Sequence, residues 1–285
     1  MTGSGKTSFI SRASGRNDLN IGHNLVSCTQ DVQIIEGRID DRVVHYIDSP
    51  GFSDTYLSDT EVLEMIADYL SVAYSGGIKL TGIIYLHPIS DRRVTQHSIK
   101  NLEMFKKLCG ENNLQNVVLA TTFWDRVGDV EGGRREVELR ENFWSLLLAL
   151  GAKTARHYGT RQSAVDIVST LLGNKPFYVQ LQEEMGRGHK SLKDTSAGQE
   201  VMLELQRIKE KHERELADMR EVMKVHNEEE NKAAKAALEG HYKKMLKDME
   251  RTLADEKRMN AEAVRSLQDR IDALEKQGRG PCTVM

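Results

Sequence analysis

The sequence predicts an α/β fold, a largely parallel sheet wrapped by helices, followed by a long helical C-terminal region. Three observations predict it. Up to about residue 175, short apolar runs alternate with helical periods, the pattern of strands joined by crossover helices. The prolines are Pro50, Pro88, Pro176 and Pro281, so none interrupts 177–280, a stretch rich in Lys, Arg, Glu, Asp, Ala, Met and Leu, most of them good helix formers. A glycine-containing loop, Gly3-Ser4-Gly5, leads directly into the first helical period. At roughly 150 residues per domain, 285 residues correspond to about two structural units. With 29% charged and 39% hydrophobic residues, part of the chain is expected to lack an ordinary core. A net charge of −3 argues against nucleic-acid binding by bulk charge. Three scattered cysteines, Cys28, Cys109 and Cys282, make no disulfide framework and point to a reducing, cytoplasmic compartment. No apolar run approaches the roughly 18 residues of a membrane span, and no charged-then-apolar leader opens the chain.

Each element follows from its local pattern. Gly5 to about Ser14 reads as a helix. Val32–Ile39 and Val43–Ile47 read as strands joined in a hairpin at Asp40-Asp41. Glu61–Tyr74 carries Val62, Met65, Ile66 and Tyr69 at helical spacing. Leu80–Leu86 is a buried strand, and Thr95–Leu108 a helix stopped by Gly110. Val117–Thr122 is a second buried strand. Arg134–Leu150 is a helix stopped by Gly151, Lys153–Tyr158 a weak strand, and Ser163–Leu172 a helix stopped by Gly173.

The chemistry is concentrated in three strand-end motifs. Gly3-Ser4-Gly5-Lys6-Thr7 is the end of the phosphate-binding pattern G-x-x-x-x-G-K-[ST]. Small residues let backbone N–H groups converge on phosphate oxygens; Lys6 would reach the β- and γ-phosphates and the Thr7 hydroxyl would bind Mg²⁺. The pattern's first glycine and the strand feeding it would lie before Met1. Either the chain is a fragment or has a misassigned start, or the protein has lost this strand; the first is expected, and with it a chain that as given binds nucleotide poorly. Asp48-Ser49-Pro50-Gly51 follows an apolar strand; it places a carboxylate near Mg²⁺ and the Gly51 N–H near a γ-phosphate. Thr29 lies between these motifs and is either a switch threonine on Mg²⁺ or a solvated loop residue. Thr122-Phe123-Trp124-Asp125 matches the ends of N/T-K-x-D, whose Asp accepts hydrogen bonds from guanine, with Phe123 in place of Lys. An aromatic ring there can cover a base face. His157-Tyr158-Gly159-Thr160, where a last base loop would fall, carries no signature.

Together, Gly3–Thr7, Thr29, Asp48–Gly51 and Thr122–Asp125 resemble the translation-factor class of P-loop GTPases, a three-layer sandwich whose first strand is missing here. The likeness is to the group of septins, immune-associated nucleotide-binding GTPases and chloroplast outer-envelope import receptors, and within it to fungal G domain-containing proteins. It is carried by Asp48–Phe52, Gly82–His87, Asn101–Phe105 and Thr121–Asp125 and covers residues 1 to about 198. The resemblance implies GTP/GDP and Mg²⁺ binding, slow hydrolysis and self-association through the G domain. Catalytic residues are not fixed. Phe52 follows Gly51, where a Ras-like enzyme places a water-orienting Gln. Arg92 and Arg93 are either a charge supplied to a second subunit or a solvated loop, and His87 beside them reads better as structural.

The organisation expected is a GTPase domain over 1–175, a linker over 176–198, a helical coiled-coil arm over 199–277 and a flexible tail over 278–285. Asn260, Val264, Leu267, Ile271 and Leu274 step by four and three, the rhythm of a paired helix; Leu246 and Leu253 extend one edge while Lys243, Glu250 and Lys257 occupy the other. Cys282-Thr283-Val284-Met285 fits C-a-a-X with a farnesyl-type last residue, which would tether the protein to the cytoplasmic face of a membrane; one chain anchors marginally, so dimerisation would strengthen it. The functional expectation is a slow, self-association-dependent GTPase switch at a membrane. The alternative is a catalytically inactive scaffold that recruits partners through its coil, and an ATP-using enzyme is disfavoured by Asp125.

Overall fold

The computed structural model describes residues 3–19, 31–52, 57–225 and 240–261. They fall into two compact units, divided between Lys190 and Ser191.

In the first unit, helix α1 (Lys6–Ser14) is followed by strands β1 (Gln33–Ile39) and β2 (Arg42–Asp48). The two strands pair antiparallel, Ile39 opposite Arg42, across the Asp40-Asp41 turn. Helix α2 (Asp59–Ser75) starts at Ser58, whose side chain accepts from the Glu61 N–H while Glu61 accepts from the Ser58 N–H; this reciprocal cap starts the helix two residues before the apolar period. Its buried stripe is Val62, Leu63, Ala67 and Leu70. Met65, Ile66 and Tyr69 are only half-buried, so the inward face is rotated from the one the spacing indicated.

Strand β3 (Ile83–Pro88) pairs parallel with β4 (Val117–Thr122), which pairs parallel with β5 (Lys153–Arg156). β3 begins three residues late because Leu80 instead bridges antiparallel to Phe177. Helix α3 (Gln96–Cys109) runs from a Thr95 cap to Gly110. The helix expected over Arg134–Leu150 is broken in two: α4 (Asp129–Glu138) begins earlier, a π-turn covers Leu139–Phe143, and α5 is Ser145–Ala149. Helix α6 (Arg161–Ser169) follows β5. Inside the stretch read as a linker, α7 (Gln180–Met185) has Leu181 fully buried.

Alternation along β4 shows the layering. Val118 and Ala120 join Phe9, Ile10 and Ala13 of α1 and Ile167 and Val168 of α6 in one apolar cluster. Val117 and Leu119 join Leu102 of α3 and Trp144 and Leu147 in another. Since neighbours on a strand point to opposite faces, the parallel sheet is sandwiched between α1/α6 and α3/α5. Ile35, Ile39 and Tyr46 of the hairpin belong to the α1-side cluster. Yet among the described residues β1–β2 and β3–β4–β5 are separate sheets, so the sandwich is split between β2 and β3.

Two buried histidines are held neutral. Burial pushes His87 down to about 4, and burial followed by the charge of Arg12 does the same to His157. A folded pKa below the unfolded value of about 6.5 stabilises the fold above that pH, and the stabilisation is lost as pH falls toward 4. The thermal midpoint is therefore expected to be lower at pH 5 than at pH 7, and the difference to shrink in His157→Gln. Equal midpoints would mean that neither ring is held neutral.

In the second unit, a 3-10 turn (Leu192–Asp194) leads into helix α8 (Ser196–Val225), and another helix covers 240–261. Lys209 Nζ meets Glu256 at 3.1 Å, joining the two helices. In the second of them the buried positions include Met245, Thr252 and Met259. Leu246 and Leu253 are half-buried and Asn260 is exposed, so burial centres one residue before the stripe read from sequence. Val264, Leu267, Ile271 and Leu274 lie outside the described residues, as does Cys282. Among the described residues no helix is long and apolar enough to cross a membrane.

Candidate phosphate and base site

The loop before α1 is shaped by two glycines. Gly3 has φ +76° and Gly5 φ +87°, left-handed conformations that residues with a Cβ rarely adopt. Gly5 caps α1 without a side-chain hydrogen bond, and the first turn carries no acidic residue. The positive end of the helix is therefore not answered by a carboxylate of its own first turn, the condition for receiving an anion.

Two hydrogen bonds fix this loop on the strand ends. Thr122 Oγ1 donates to the buried Ser4 carbonyl at 3.0 Å. Thr7 Oγ1 donates to Asp48 Oδ2 at 2.7 Å. The C-terminal ends of β2 and β4 thus both lie at the phosphate loop. Beyond Asp48, Pro50 and Gly51 are buried, and Asn101 Nδ2 donates to the Phe52 carbonyl at 3.4 Å. The residue after Gly51 is held by its backbone.

The Thr7–Asp48 pair suits a magnesium ion. Mg²⁺ takes hard oxygen ligands, usually one or two from protein, with phosphates and waters completing its octahedron. Here a hydroxyl and a carboxylate 98% buried meet beside the phosphate loop. Among the described residues no group of three His, Cys, Asp or Glu is placed to hold a metal ion. Lys6, half-buried at the start of α1, stands one residue before Thr7.

The base motif forms a turn at the end of β4. Phe123 has φ +60°, and Trp124–Arg126 make one 3-10 turn. Trp124 anchors it: the ring is buried, Nε1 donates to Thr121 Oγ1 at 2.9 Å, and the Arg156 guanidinium stacks on it at 4.3 Å while pairing with Glu136. Asp125, next along the turn, is exposed. The Phe123 ring reaches back over the phosphate loop, so that a Cβ on Gly5 would lie 3.3 Å from its tip. Sequence reasoning paired Phe123 with the base but missed Arg126, whose guanidinium lies 4.2 Å from the Phe123 ring centre. The sequence signal was present only as a cation three residues after an aromatic residue.

The remaining candidates divide. Arg92 and Arg93 are exposed in the loop after β3, at the same end of the sheet. Arg135 holds the start of that loop by donating to the Ile89 and Ser90 carbonyls at 2.9 and 3.1 Å. His87 is buried, with its ring edge-on to Trp144, a packing role. His157 meets Ser163 Oγ at 3.0 Å, ordering the loop into α6. Thr29 lies outside the described residues.

No protein-family model matches the chain, and no curated protein sequence matches it. Among solved structures, Toc33 from Arabidopsis thaliana in complex with GDP and Mg²⁺ is similar over 62% of this chain and 84% of its own, at 11% identity and a TM-score of 0.49. Toc33 in complex with Mg²⁺ and GMPPNP is similar over the same shares, at 12% identity and a TM-score of 0.47. The functional reading rests on this chain's own residues.

Proposed function

We propose that the chain is a guanine-nucleotide-binding protein that holds GTP or GDP with Mg²⁺ at the N-terminus of α1. The observation that carries this reading is the 2.7 Å bond from Thr7 to Asp48 beneath a loop with two left-handed glycines. It joins, across 41 residues of sequence, the two groups that a P-loop protein needs on one Mg²⁺. In this reading Lys6 neutralises the phosphates, the Gly51 N–H serves the terminal phosphate, and Asp125 reads the base.

Hydrolysis is slow in this reading, because the side chain of Phe52 offers no hydrogen bond to orient water. Self-association would place charge from a second copy, with Arg92 and Arg93 the exposed cations at the correct end of the sheet. A prenyl group on Cys282 would bring two such copies to a membrane. The second reading, an inactive scaffold, is favoured by the same Phe52.

Titration with fluorescent GDP and GTP, and phosphate release at rising protein concentration, test the proposal. The expected result is preference for guanine nucleotides over ATP, and turnover per molecule that rises with concentration. Lys6→Ala should weaken binding by about 10- to 100-fold, the loss of hydrogen bonds to a charged donor worth about 1.5–3 kcal/mol. Equal affinity for ATP and GTP would sink the guanine assignment. Tight GTP binding with no turnover at any concentration would establish the scaffold.

A further inference from the structure

We infer that Arg126 is a specificity-determining residue of this site, donating hydrogen bonds to the acceptor edge of the base, guanine O6 and N7. The inference rests on the guanine-nucleotide reading above and adds a residue that the motif does not contain.

The turn after β4 places three complementary groups within four residues. Phe123 provides an aromatic face beside Gly5. Asp125 provides an exposed carboxylate, an acceptor for N–H groups. Arg126 provides a fork of donors, already lying on the Phe123 ring at 4.2 Å. Its backbone N–H donates to the Phe123 carbonyl at 3.1 Å, which closes the turn and keeps ring and guanidinium together. A flat heterocycle with N–H donors on one edge and carbonyl and ring-nitrogen acceptors on another matches that set. Guanine has this pattern: Asp125 takes its N1–H and exocyclic amine, and Arg126 takes O6 and N7, the usual bidentate pairing of arginine with guanine. Adenine offers an amine where guanine has O6, which would face the guanidinium donor to donor.

The stacked position also lowers the cost of using Arg126. Arginine loses much rotamer freedom when it is fixed, and part of that freedom is already removed by the contact with the Phe123 ring. Trp124, which follows Phe123 in the chain, is buried and fixed by Thr121 and Arg156, and so anchors the turn.

The test compares GDP, 7-deaza-GDP (which lacks the N7 acceptor) and ADP as competitors of fluorescent GDP, on the full chain and on Arg126→Ala. The expected result is weaker binding of 7-deaza-GDP than of GDP by the wild type, by about 5- to 10-fold. In Arg126→Ala, GDP should bind about 10-fold more weakly and the two guanine nucleotides should become equal. Arg126→Lys should retain part of the discrimination. If GDP binds and the wild type does not distinguish it from 7-deaza-GDP, or if Arg126→Ala still does, Arg126 does not read the base. If neither protein binds GDP while both remain folded by circular dichroism, the guanine reading falls and this inference falls with it.

Discussion

Asp125→Asn is expected to move base preference from guanine to xanthine. Asp125 sits exposed at the end of β4, beside the ring that covers the phosphate loop. In the proposed reading a carboxylate there would accept two hydrogen bonds from guanine, each worth about 1.5–3 kcal/mol because the acceptor is charged. Removing both costs about 100-fold or more in GDP affinity. The amide of Asn presents a donor instead and meets the carbonyl that xanthine carries at the place of the guanine amine. Isothermal titration of GDP and XDP against both proteins reads the exchange. A variant that loses GDP without gaining XDP would mean that Asp125 holds the turn and does not read the base. The substitution is not expected to unfold the protein, since the turn is anchored by Trp124.

Trp144→Ala should give the largest loss of stability, about 3–5 kcal/mol. The ring is 98% buried, in the apolar cluster that lies on the far side of the sheet from α1. It caps the start of α5 immediately after the π-turn, so the extra residue of that turn rotates the chain and delivers the ring to the core. Urea unfolding followed by far-ultraviolet circular dichroism measures the change. A loss below about 1 kcal/mol would mean that the cavity collapses onto flexible neighbours, and the π-turn would then have no packing purpose. Trp144 shares its cluster with Trp124, the anchor of the base turn, so weaker nucleotide binding should accompany the loss of stability.

The local signals in this sequence were strong where geometry is local. A short unbroken apolar run, the mark of a strand buried on both faces, set β4 to its ends, Val117 and Thr122. The Asp40-Asp41 turn set the hairpin, and Gly110 stopped α3, because turn and cap chemistry act over a few residues. The same holds for Gly3–Thr7: glycines before a helix are readable as a phosphate loop without any knowledge of what surrounds them. Where the outcome depended on packing, the sequence was less informative. Residues 139–143 have no helix breaker, so nothing local announces a π-turn; it exists because Leu139 and Trp144 must both reach the core. Leu80 is apolar enough for β3 but is drawn to Phe177, a partner 97 residues away in the chain.

The site divides along the same line. The sequence by itself determined which residues are candidates for phosphate, metal and base: Lys6, Thr7, Asp48, Gly51, Thr122 and Asp125 are motif positions with a fixed spacing from a strand or helix end. Only the tertiary structure decided that Thr7 and Asp48 touch, that Thr122 holds Ser4, and that Arg126 rides on Phe123 above Gly5. The first two contacts join α1 and its loop to the ends of β2 and β4, and those ends meet the loop only once α1 packs across them; the third is made within one turn, and only its reach to Gly5 depends on that packing. A linear pattern records the identity of such groups. Their separation in space is set by the sheet.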